Sequence, residues 1–182
     1  MAKLAADTYG EALFSLAVEE NKVDRLFEEM EALKAILDQN PDFNVVMNHP
    51  KITRDQKEKM IEEVFHGRVS DEITGFLRLL LQKERYKELD AILAFFSARV
   101  KEYKGIGVAY VTTAVPLKDA QKAAVERKLL DTTGYKEMEI HYSEDKDLIG
   151  GMVIRIGDRV VDSSIRTRLD GLKKSLADIQ VG

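Results

Sequence analysis

The chain has no cysteine. That removes disulfides, thiolate nucleophiles and zinc–sulfur centres from consideration and fits a reducing compartment. It has no apolar run approaching the ~20 residues a helix needs to cross a bilayer. Its first residues, MAKLAADTYGEAL, lack the basic stretch followed by an apolar one that marks a secretory signal. They are not arginine-rich, as a mitochondrial transit peptide would be. Positive charge is not in excess either: the net charge is −4, which argues against a general nucleic-acid binder. What is present is ordinary for a globular protein: 182 residues, 45% hydrophobic and 33% charged. That length allows one large domain or two small ones. The expectation is a bacterial cytosolic protein that could still sit against a membrane through partners.

The two halves differ in texture. The first predicts a six-helix bundle over residues 1–104. Its first helix, Leu4 to Glu20, is apolar all round and must be covered on several sides. The second carries Val23, Leu26, Phe27, Met30, Leu33, Ile36 and Leu37 at i, i+3, i+4 spacing and stops at Asn40-Pro41. A short helix fits Phe43 to Met47. Thr53 and Gln56 form a capping box ahead of Met60, Ile61, Val64 and Phe65, and Gly67 closes that helix. Ser70 caps the next, whose apolar positions Ile73, Phe76, Leu77, Leu79, Leu80 and Leu81 cover half the wheel. The last runs from Tyr86 to Tyr103.

Gly105-Ile106-Gly107 predicts a hinge, with a small domain over 108–182. Val108 to Val115 reads as a strand and Asp119 to Asp131 as a helix. Met138, Ile140 and Tyr142 alternate with charges, and Met152 to Ile156 reads as a further strand. Gly157-Asp158 fits a type II′ turn into Arg159-Val160-Val161. Asp162 caps a closing helix with Ile165, Leu169, Leu172, Leu176 and Ile179 on one face. The fold class is α+β: a helical bundle followed by a mixed β-α-β-β-β-α domain.

Candidate chemistry is thin. The stretch LIGGMVIRIGDRVVDSSIRTRL is rich in glycine, but Gly150-Gly151 precede a strand and Gly157 sits in a hairpin. A phosphate loop would open a helix and carry Gly-Lys-Ser or Gly-Lys-Thr. His49, His66 and His141 share no metal-ligand spacing. Glu137, Glu139, Glu144, Asp145 and Asp147 form a solvated edge without a calcium-loop pattern. Ser163-Ser164 lack a nucleophile elbow. Arg155, Arg159, Arg166 and Arg168 raise the alternative of an RNA-binding module. Against it, the second half balances 12 Lys+Arg with 12 Asp+Glu, and no aromatic pair marks its strands. No metal, cofactor or catalytic constellation is expected.

GGMVIRIGDRVVDSSIRTRLDGLKKSL resembles the C-terminal signature of the F-type ATP synthase delta subunit family, bacterial relatives of the oligomycin-sensitivity-conferral protein. Gly150, Gly151, Gly157, Asp162, Ser164, Arg166, Arg168 and Leu169 match it; Ser163 stands where the family often has glycine. Tyr9-Gly10-Glu11-Ala12-Leu13-Phe14 is similar to the family's N-terminal motif, as is Phe76-Leu77-Arg78-Leu79-Leu80 followed by Arg85. The resemblance covers the whole chain in order. It implies a non-catalytic stator subunit of the peripheral stalk, on the cytoplasmic face of the bacterial plasma membrane and without direct membrane insertion. It implies that the bundle grips the N-terminal helix of an alpha subunit between its first and fifth helices, and that the second domain holds the C-terminal ends of the b subunits. The groove residues are expected to be Tyr9, Ala12, Leu13, Leu16, Phe76, Leu79, Leu80 and Lys83. Asp162, Ser164 and Arg166 are expected to serve capping and local ties.

Overall fold

A computed structural model describes residues 2–167 and 169. Helices come first: α1 (Ala2–Glu19), α2 (Val23–Gln39), α3 (Pro41–Asn48), α4 (Arg54–Phe65), α5 (Asp71–Gln82) and, after a 3-10 turn at Tyr86–Glu88, α6 (Leu89–Lys104). Then follow β1 (Ile106–Thr113), α7 (Asp119–Thr133), β2 (Glu137–Glu144), β3 (Met152–Ile156) and β4 (Arg159–Asp162). The fold class is α+β. The chain divides into two compact units, Met1–Lys101 and Glu102–Gly182.

In the first unit, helix ends follow local chemistry. The Thr53 N–H donates to Gln56 Oε1 (3.0 Å) and the Gln56 N–H to Thr53 Oγ1 (3.4 Å), which is the predicted capping box. α1 stops at Asn21, whose φ of 53° is left-handed. There the Asn21 N–H reaches the Val18 carbonyl and the Lys22 N–H reaches that of Ala17. This Schellman arrangement satisfies two carbonyls that would otherwise lack donors. α5 ends the same way, with Glu84 at φ 56° and bonds from Glu84 to Leu81 and from Arg85 to Leu80. Glu84→Gly relieves a left-handed side chain and should stabilise this unit by about 0.5–1 kcal/mol in urea unfolding. An unchanged midpoint would contradict that reading. Ser70 holds the cap position of α5 but does not cap it as expected: its hydroxyl makes no hydrogen bond. Its backbone N–H is taken by Glu29 at 2.9 Å.

The helical periodicity translates into one buried cluster. Leu26, Met30, Leu33 and Leu37 of α2 meet Ile61 and Phe65 of α4, Ile73, Leu77 and Leu80 of α5, and Ile92, Phe96 and Val100 of α6. Leu13, Phe14 and Ala17 of α1 join them. Ile36, expected inward, is 46% exposed because it lies off the Leu33–Leu37 stripe. Gly10 permits close approach of α1 and α6, since a Cβ there would lie 2.4 Å from Phe95 Cδ1.

In the second unit the sheet order is β2-β1-β3-β4. β1 and β2 run parallel, which the intervening α7 allows, while β1–β3 and β3–β4 are antiparallel. Ala109, Leu129 and Met138 form the small core, with Val125, Ile140, Ile154 and Ile156 against it. β1 starts and ends two residues earlier than expected. Ile106 and Gly107 therefore belong to the strand, paired with Glu137 and Met138, and not to a free linker. Gly107 has a packing reason: a Cβ would lie 2.4 Å from the Tyr135 ring and 2.5 Å from Met138 Sδ. Gly105 alone stands between α6 and β1, at φ 74°. Val115, beyond the strand, is 66% exposed. Gly157 opens the β3–β4 hairpin at φ 54°. A helical turn begins at Ile165; Arg168 and the expected face Leu172, Leu176 and Ile179 lie outside the described residues.

Candidate functional site

α1 and α5 present a depression of about 270 Å³ lined by Tyr9, Ala12, Leu13 and Leu16 from one helix and Glu72, Gly75, Phe76 and Leu79 from the other. Six of the eight expected groove residues meet there. Leu13 and Phe76 form its floor, 2% and 8% exposed, and Leu79 stands on its wall at 38%. Ala12 is exposed, while Tyr9 and Leu16 are half-buried. Apart from Glu72 the lining is thus apolar, open and backed by the core.

Two expected residues fall elsewhere. Leu80 is fully buried, because it shares the face of Ile73 and Leu77 and points into the bundle. Lys83 is exposed at the end of α5 and does not line the depression. Two others were missed. Glu72 and Gly75 complete the set 72, 75, 76 and 79, the i, i+3, i+4, i+7 spacing of a single helix face. That spacing was present in the sequence, but neither residue is apolar enough to draw attention.

The groove's acid is already matched. The Lys22 ammonium bonds Glu20 at 2.6 Å and also bonds Glu72. The hydrogen bond from Lys22 is the largest cause holding the Glu72 carboxyl down to about 2. On α1, Glu11 bonds Arg99 at 3.1 Å, whose guanidinium lies 5.0 Å from the centre of the Phe14 ring. What remains for a partner is therefore chiefly apolar surface. Among the described residues no helix is long and apolar enough to cross a membrane.

The glycine stretch resolves into packing. The Gly150 carbonyl accepts the Ile165 N–H at 3.0 Å, and the Met152 carbonyl accepts that of Ser163 at 3.0 Å. The chain leaving β4 thus crosses back over the start of β3. Gly151 sits at the crossing with φ 77°, where a Cβ would lie 2.4 Å from the Ser163 carbonyl oxygen. Asp162 accepts from the Ser164 N–H (2.8 Å) and the Thr167 hydroxyl (2.6 Å). The Thr167 hydroxyl, then the Ser164 N–H, holds its carboxyl below the usual carboxylate range. Asp162 is itself in β4, so the cap lies two residues beyond the expected position. The fully buried Ser164 is the cap, its hydroxyl accepting the Thr167 N–H at 3.2 Å. Arg166 is exposed on the first turn.

A profile described as ATP synthase delta (OSCP) subunit matches residues 5–176. The chain belongs to that family. ATP synthase subunit delta of Lachnoclostridium phytofermentans is 48% identical over 182 residues, covering 100% of both chains. That of Salinibacter ruber is 38% identical over 170 residues, 93% of this chain and 89% of the other. A chain in the cryo-EM structure of the Toxoplasma gondii mitochondrial ATP synthase hexamer matches with a TM-score of 0.78 at 19% identity, covering 94% of this chain and 97% of that one. At that identity the likeness concerns the fold. Family membership makes the chain a stator subunit of the ATP synthase and a non-catalytic one.

Strand alternation also separates the arginines that suggested RNA. Arg155 pairs with Val160, while Arg159 pairs with Ile156, so the two arginines lie on opposite faces of the sheet. One expectation fails: the strands do carry an aromatic pair. Tyr110 and His141 stack at 5.0 Å, with Arg155 4.7 Å from the Tyr110 ring. Glu139 closes on His141 Nε2 at 2.9 Å, which places negative charge beside that stack.

Proposed function

We propose that the α1–α5 groove receives the N-terminal helix of an ATP synthase alpha subunit, and that the second unit holds the C-terminal ends of the b subunits. The observation that carries this reading is the groove itself. Two adjacent helices of a packed bundle leave Tyr9, Ala12, Leu16 and Leu79 partly or fully open around a buried apolar floor. An amphipathic helix laid in such a groove buries its apolar face with helical spacing of anchors. In this reading the six helices work as one bundle that presents the α1–α5 slot outward, and the chain sits peripherally on the cytoplasmic face of the plasma membrane.

The mechanics follow from rotation. Proton flow turns a central rotor inside the catalytic head, and an unrestrained head would turn with it. A link between head and stalk must hold through many turnovers, which favours a desolvated apolar anchor with slow release. Gly105, left-handed between α6 and β1, is the proposed joint through which the two units adjust under load. Spin relaxation showing both units tumbling as one rigid body would remove the joint from the account. The groove reading is tested by titrating the full chain with a synthetic alpha N-terminal peptide. Saturable one-to-one binding that protects residues of α1 and α5 from amide exchange supports it. No binding, or protection confined to the second unit, contradicts it.

A further inference from the structure

Two glycines lie in the interiors of helices lining or bordering the groove, and they differ in what surrounds them. Gly10 on α1 is buried, and a Cβ there would meet Phe95 at 2.4 Å, so internal packing accounts for it. Gly75 on α5 is exposed, and a Cβ there would meet nothing within 4 Å. A glycine inside a helix is disfavoured relative to alanine, and nothing within the first unit needs the missing methyl. The position is not neutral surface, however. Gly75 lines the groove, one turn from Leu79 and beside Phe76, facing a helix whose own lining includes the small Ala12.

We infer that Gly75 is a specificity notch: the place where the groove's occupant inserts one large apolar side chain closer to α5 than any side chain there would permit. The inference rests on the reading of the groove as a helix-binding slot and adds a requirement on the partner. The docked helix must be amphipathic and must carry a bulky aliphatic or aromatic knob that falls over Gly75 when its apolar face lies on Leu13 and Phe76. The charges agree with an apolar knob, because Glu72, the acid lining the groove, is already bonded to Lys22.

The experiment is a double-mutant cycle between the full-length chain and an alpha N-terminal peptide, read by calorimetric titration. Gly75→Ala should raise the melting temperature of the free chain, through helix propensity alone, while weakening the peptide about tenfold by overfilling the notch. Gly75→Leu should weaken it further. Truncating the peptide's knob to alanine should cost the wild-type chain about tenfold or more, and the Gly75→Leu chain markedly less, the coupling expected of residues in contact. Gly75→Ala and Gly75→Leu binding as tightly as wild type would overturn the notch while leaving the groove intact. A wild-type chain that ignores the peptide would overturn the groove reading itself, and the notch with it.

Discussion

Ala12→Asp should reduce affinity for the alpha N-terminal peptide at least a hundredfold, with the bundle still folded. Ala12 is exposed in the free chain but lines the groove between Tyr9 and Leu16. A carboxylate there is solvated until the partner arrives and is then pressed against an apolar helix. Burying such a charge without a counter-ion costs several kcal/mol, and about 3 kcal/mol already corresponds to more than a hundredfold in affinity. The free chain pays little, since alanine-to-aspartate in an exposed helix loses only about 0.6 kcal/mol of propensity. A melting shift of no more than about 5 °C is expected for a unit of this size. Titration calorimetry beside thermal unfolding checks both halves. Undiminished affinity would move the partner's site off this face, and a collapsed melting curve would mean that Ala12 belongs to the core.

The second large effect concerns the glycine stretch. Gly151→Ala should strongly destabilise the second unit and leave the first untouched. Its φ of 77° disfavours any side chain, and the added Cβ would press on the Ser163 carbonyl oxygen at 2.4 Å and on Ser164 Cα at 3.0 Å. Both obstacles are backbone and cannot swing aside. Left-handed strain of 1–2 kcal/mol plus overpacking of similar size gives roughly 3 kcal/mol, a large share of the ~4–12 kcal/mol typical of a unit this small. Gly150→Ala should be milder, because its Cβ would meet only the flexible end of Ile165, at 2.7 Å. Amide exchange resolves the two units separately. Global loss of protection in both would show that they fold as one, and wild-type protection throughout would refute the crossing described here.

Much of this was legible because periodicity is local. The Leu26–Met30–Leu33–Leu37 stripe, the Thr53–Gln56 box and the Gly157 hairpin each involve neighbours in sequence, and each appears where its spacing indicates. Pairing is not local. Nothing in the strands announces that β1 runs parallel to β2 while lying against β3, because that order depends on how α7 crosses over. The groove was legible as a set of helices and only partly as residues. α5 is apolar over half its circumference, so Leu79 on the slot and Leu80 in the core look alike until the helix is oriented. Gly75 escaped notice because a residue without a side chain gives no periodic signal. The cap at Ser164 was displaced from Asp162 for a different reason: both residue types cap helices well, and only the hydrogen bonds to Thr167 separate their roles.

The central claim is mechanical, and reconstitution of ATP synthase membranes depleted of this subunit tests it most directly. Proton-driven ATP synthesis should return with the wild-type chain and stay near the depleted level with Ala12→Asp, while ATP hydrolysis by the detached head is the same in both. Synthesis restored equally by the Ala12→Asp chain would contradict the account.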